Sequence, residues 1–115
     1  NYKNLVIRGF KVVGDGSLGS RGACLKKPYS DAPHSHGFLT TSLDKFEKIA
    51  AFARNNNFQM NTHAIGDSTN KIIIDIIAKT YETKKDHRWR IEHAQVLDKK
   101  DIERIAVGPA YPCSQ

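Results

Sequence analysis

The sequence holds 115 residues, of which 39% are hydrophobic and 26% charged, and its formal net charge is +6. These proportions predict one packed globular unit and exclude an intrinsically disordered chain. No apolar run approaches the roughly 20 residues that span a bilayer, the opening Asn1-Tyr2-Lys3 predicts no signal peptide, and the basic residues are dispersed, so neither membrane nor nucleic acid is the expected partner.

In chain order, Leu5 to Val13 (LVIRGFKVV) is apolar and β-branched and predicts a strand. Residues 14–41 predict a loop excursion, since Gly14 to Gly37 alone contains five glycines and two prolines, and long ordered loops are usually functional. Ser42 can cap a helix in which Leu43, Phe46, Ile49, Ala50 and Ala53 recur at helical spacing, ended by Asn55-Asn56-Asn57. Phe58 to Thr62 reads as a short strand with His63 at its end. Gly66-Asp67 then turns the chain into an isoleucine-rich helix, Ile72 to about Tyr81, with Asp67 or Ser68 as its cap.

Lys84 to His87 reads as a charged, exposed connector, and Trp89 to Glu92 as a strand closed by His93. Asp98 and Asp101 open a third helix through Ile102, Ile105 and Ala106. The tail VGPAYPCSQ, with two prolines, is not expected to finish a fourth unit. Strands alternating with helices predict an α/β fold with a parallel sheet.

In such a sheet the residues that end successive strands gather on one rim. His63 and His93 lie about thirty residues apart, one βα period, so their imidazoles are expected to face a common centre. Two convergent neutral imidazoles can bind a divalent metal; the alternative is that each satisfies a turn carbonyl or stacks in the sheet. Lys11, in GFKVVGD, is costly to bury unless it snorkels, pairs or is modified. It could react with carbon dioxide to a carbamate that bridges metals, or pair with Asp15 or Glu92.

Other signals are weaker. His34-Ser35-His36 has HxH spacing but follows no apolar strand and reads as a solvated loop pair. GDGSLGSRG lacks the GK[ST] of a phosphate loop and the GxGxxG opening of a dinucleotide helix. Within it, Asp15 and Arg21 are candidates for contacting substrate from the loop, or Arg21 for merely anchoring it. Glu92 is expected on the face of its strand opposite to His93 by two-residue alternation. Cys24 and Cys113 lack CxxC spacing and are expected as reduced thiols. No Ser-His-Asp or Cys-His arrangement has the context of a covalent nucleophile.

Three blocks, KVVGDGSLGSRGACL, MNTHAIGDS and RWRIEHAQV, together resemble the central part of the YtcJ-like branch of the metal-dependent amidohydrolase superfamily, amidohydrolase family 3. The resemblance implies a partial TIM (β/α)8 barrel, about strands four to six, with residues 1–115 as one central segment. It implies that Lys11, as a possible carbamate, takes the strand-four position, and that His63 and His93 take the strand-five and strand-six ligand positions. The HxH of strand one and the aspartate of strand eight have no counterpart, and YPCSQ is an imperfect echo of the family's usual IPSVQPTH.

The implied function is hydrolysis of carbon–nitrogen bonds in a small-molecule amide or N-substituted formamide, with one or two divalent metal ions, zinc the expected one, activating water. Lacking ligands and general base, the isolated chain is expected to be inactive. The alternative is a non-catalytic α/β binding module. Half a barrel would leave edges uncovered, so a homo-oligomer is a further expectation. The compartment defaults to the cytoplasm.

Overall fold

A computed structural model describes residues 9–56, 58–80, 89–107 and 111–113. The elements are β1 (Gly9–Val13), α1 (Leu43–Asn55), β2 (Gln59–Ala64), α2 (Asp67–Thr80), β3 (Arg90–His93), α3 (Lys99–Val107) and β4 (Tyr111–Cys113). The predicted start of the first strand at Leu5 and the connector from Lys84 to His87 lie outside the described residues.

The four strands form one sheet in the order β1-β2-β3-β4, every neighbouring pair parallel. This is the α/β architecture with parallel strands that the element order predicts. The tail, however, is not idle. Tyr111–Cys113 pairs with β3 in register Arg90↔Tyr111 to Glu92↔Cys113, a fourth strand that sequence reading missed because proline depresses any strand expectation. Proline is admissible in such a position on an outer strand.

Register sorts the strand residues into two faces. Val12, Thr62 and Ile91 share one row and Phe10 and Met60 another; of these, all but the partly buried Phe10 are enclosed. Phe46, Ala50 and Ala53 of α1 and Ile73, Ile74, Ile76 and Ile77 of α2 complete this core, together with Trp89, whose indole N–H donates to the Phe58 carbonyl at 3.0 Å. The opposite face carries the rows Lys11–Asn61–Arg90 and Val13–His63–Glu92. Those six are exposed or half-buried.

Local chemistry explains the helix starts. Ser42 is extended (φ −67°, ψ 157°) and its hydroxyl accepts from the Lys45 N–H, while Asp44 and Arg54 lie at the ends whose dipole they complement. At α2 the Asp67 carboxylate accepts from both the Ser68 and the Lys26 amides, at 3.0 and 2.9 Å, so it joins the excursion to the helix start as well as serving its first turn. Gly66 is required there by space. A Cβ at that position would lie 1.9 Å from the Cys24 carbonyl oxygen. Among the described residues no helix is long and apolar enough to cross a membrane.

Candidate metal centre

His63 ends the exposed row of β2, one residue before the strand stops at Ala64. His93 is the last residue of β3, and by pleat alternation it belongs in the row of Ala64, its register partner, on the helix side. The backbone breaks that alternation: φ is +76° at His93 and +44° at Ala94. Non-glycine residues in this region are uncommon and signal a constraint imposed by surroundings. The result is an edge-to-face pair, with the His63 and His93 ring centroids 4.6 Å apart and the planes at 72°.

The same break corrects the expectation for Glu92. It lies in register with His63 and on the same sheet face, beside the histidine pair, where its carboxylate contacts the Arg90 guanidinium at 3.4 Å. Partial burial pushes His63 below the usual imidazole range, reinforced by His93 and the Lys11 ammonium and opposed by Asp15 and Glu92. A neutral ring with a free lone pair is the form that ligates a cation.

Lys11 lies on the same face one row lower, in register with Asn61. Its side chain is exposed among the described residues, and no group of this segment buries its charge. Asp15, one of its two candidate partners, is engaged elsewhere. The Asp15 carboxylate is fully buried and accepts from the Cys24, Ile65 and Gly66 amides and the Thr69 hydroxyl, at 2.8 to 2.9 Å. An enclosed carboxylate has no open side for substrate, so Asp15 is a structural hub rather than the loop contact anticipated for it.

Arg21 adopts φ +59° and forms a two-pronged pair with Asp31, Nη2 to Oδ2 at 2.5 Å, on the exposed excursion. That arrangement is the loop anchor of its two sequence readings. His34 and His36 are both exposed.

Sequence reading missed Asn70. It is fully buried on α2, and its Nδ2, with two hydrogens to give, lies 2.9 to 3.4 Å from the carbonyl oxygens of Ala64, Ile65, Gly66 and Val96, nearest to Gly66 and Val96. An amide side chain just ahead of the Ile72-Ile73-Ile74 run, among ordinary polar neighbours, was the only available signal.

Do these groups fit a divalent cation? Among the described residues no three His, Cys, Asp or Glu side chains converge to hold one by themselves. Two imidazoles do converge, one of them biased toward its ligating form. They fit as two ligands of a site completed by other groups.

The sequence profile of the amidohydrolase family matches residues 1–115. YtcJ of Bacillus subtilis (strain 168), which carries an amidohydrolase name, is 36% identical over 99 residues, covering 86% of this chain and 18% of that protein. LONG AFTER FAR-RED 3 of Arabidopsis thaliana is 36% identical over 95 residues, covering 81% of this chain and 16% of its own length. A crystal structure of an uncharacterized metal-dependent hydrolase from Pyrococcus horikoshii OT3 superposes with a TM-score of 0.83 at 34% identity, covering 95% of this chain and 22% of that one. A Pyrococcus furiosus metal-dependent hydrolase gives 0.77 at 33% identity, over 91% and 21%. The chain thus spans less than a quarter of each of these proteins. A profile match along its whole length, joined to this identity with YtcJ, means that the chain belongs to the amidohydrolase family, in its YtcJ-like branch.

Proposed function

We propose that this chain is the central segment of a (β/α)8 barrel, from strand four into strand seven, of a metal-dependent hydrolase that cleaves carbon–nitrogen bonds in small-molecule amides or N-substituted formamides. One observation carries the reading: the His63 and His93 rings, from adjacent parallel strands, meet 4.6 Å apart on the sheet face that the described helices leave open. The metal-dependent hydrolases of the two Pyrococcus species support the cation, and zinc suits a site built on imidazoles.

In this reading His63 and His93 hold the cation through neutral ring nitrogens. Lys11, on the same face, supplies an anionic oxygen ligand when carbamylated. A divalent cation in such a site supplies Lewis acidity, lowering the pKa of water and polarising a carbonyl. The chain's own contribution is to hold the two rings at fixed separation and to place Glu92 and Arg90 beside them. The strand-one histidines and strand-eight acid of the superfamily pattern have no counterpart here, so the segment alone is inactive.

The test is metal content after equilibration with zinc of the protein expressed from its natural gene, as wild type and with His63→Ala or His93→Ala. Bound zinc that falls in both variants supports the reading. Zinc retained by both variants, or none taken up by any form, would replace it with a non-catalytic binding module.

A further inference from the structure

The histidine pair depends on an unusual backbone, positive φ at both His93 and Ala94, and such geometry persists only when the surroundings impose it. The imposing contacts can be followed outward. The Ala94 amide donates to the Ala64 carbonyl at 3.0 Å and the Val96 amide to the Ile65 carbonyl at 2.8 Å. The segment after His93 is therefore moored to the turn after His63. That turn is moored in its own right, because the Ile65 and Gly66 amides both donate to Asp15, at 2.9 Å each. Next to Asp15, the Gly14 amide donates to the carbonyl of His63 itself at 2.8 Å.

We propose that Asp15 is a positioning residue for the histidine pair: its buried carboxylate clamps the turn that follows His63 and, through that turn, the segment that follows His93. Its role deepens the metal-site reading above and rests on it for its link to catalysis.

The carboxylate is chemically specific. Oδ2 takes three donors, the Cys24 and Gly66 amides and the Thr69 hydroxyl, while Oδ1 takes the Ile65 amide. Only an acceptor at both oxygens satisfies this set. An amide in its place turns an NH2 group toward at least one N–H, whichever way it is flipped. Gly14 has the same logic in steric form, since a Cβ there would lie 2.7 Å from the His63 carbonyl oxygen and 2.8 Å from the Thr69 methyl.

The test uses the chain as expressed from its natural gene, with Co2+ as the probe metal. Asp15→Asn is expected to weaken Co2+ binding about 10- to 100-fold, the usual cost of losing a group that orients a ligand, and to alter the Co2+ visible spectrum. Thr69→Val, which removes one of the four donors, is expected to do the same to a smaller degree and serves if Asp15→Asn does not fold. Ile77→Ala, a core truncation at a residue outside the network, controls for lost stability and is expected to leave Co2+ affinity and spectrum unchanged.

Wild-type affinity and spectrum in the clamp variants would overturn the proposal, as would an equal loss in Ile77→Ala. A crystal structure of the metal-free clamp variant gives a second readout. Rings displaced from the 4.6 Å edge-to-face pair support the clamp, and rings unmoved refute it. Should the wild type and His63→Ala bind Co2+ alike, the metal-site reading fails, and the ring geometry alone then decides the role of Asp15.

Discussion

Asn70→Asp is the most discriminating single change, because it preserves shape while reversing hydrogen-bond polarity. Asn70 is fully buried, its Nδ2 faces four carbonyls, and its Oδ1 has no hydrogen-bond partner. Three of those carbonyls have backbone donors as well: Ala64 from Ala94, Ile65 from Val96, and Gly66 from Asn70 itself. Truncation by Asn70→Ala therefore strands chiefly the Val96 carbonyl, at a cost of about 1 to 3 kcal/mol with no pH dependence of its own.

The isosteric acid behaves differently. An ionised carboxyl placed among carbonyl oxygens has no donor to hold it, so in the folded state it keeps its proton and its pKa rises above the unfolded value of about 3.9. A raised pKa means that the variant is least impaired below about pH 4 and loses stability as pH climbs, by about 1.4 kcal/mol per pH unit until the folded pKa is passed. A rise of about 2 units, modest for a fully buried carboxyl, adds about 2.7 kcal/mol of destabilisation by neutral pH.

Urea unfolding of both variants and the wild type between about pH 4 and pH 7, followed by the fluorescence of the lone, buried Trp89, measures this directly. The difference between variant and wild type removes titrations common to both. A pH-independent difference for Asn70→Asp, or Asn70→Ala the more damaging of the two near neutrality, would refute the account of the buried amide.

Other outcomes follow from the same contacts. Gly66→Ala drives a methyl into the Cys24 carbonyl and is expected to cost about 3 kcal/mol or more by thermal denaturation; an unchanged midpoint would show that the excursion does not press on the turn. At Asp75, burial acts to raise the pKa but is outweighed by the hydrogen bonds from Lys71 and Arg104, so the carboxyl stays below the usual range. Its contribution is therefore present above the unfolded pKa and lost as acid titrates it. Both partners are well exposed, so Asp75→Asn is expected to change stability by less than about 1 kcal/mol, with the effect fading in high salt. Val13, Leu43 and Phe52 are exposed apolar side chains and β1 carries an unpaired edge among the described residues; Phe52→Ser with Val13→Thr is expected to lower self-association in sedimentation velocity, and no change would remove this surface from the interface.

Much of the framework was legible because it rests on local signals. Ser42 announces its helix through a hydroxyl that can reach the next turn, and Gly66-Asp67 punctuates β2 and α2. The positions of His63 and His93 at strand ends follow from period counting alone. What sequence could not convey is non-local or geometric. The two-residue alternation put Glu92 and His93 on opposite faces, whereas the positive φ at His93 brings both beside His63. Asp15 lay in a glycine-rich loop that suggested ligand contact; three of its four donors, Ile65, Gly66 and Thr69, are 50 to 54 residues away. Pairing with β3, not intrinsic propensity, makes Tyr111–Cys113 a strand.

The excursion between β1 and α1 closes on itself well before its tip. Thr40 donates to Gly14 at 2.8 Å, Leu25 to His36 at 2.7 Å and Tyr29 to Ser35 at 3.0 Å, a ladder of rungs like the neck of a peninsula. In its outermost bend, insertion between Pro33 and His34, beyond the Asp31 carboxylate that anchors Arg21, costs about 0.6 kcal/mol per doubling of the loop and leaves the Cys24 amide on Asp15. That bend is the natural graft point for an epitope or fluorophore meant to leave the scaffold untouched.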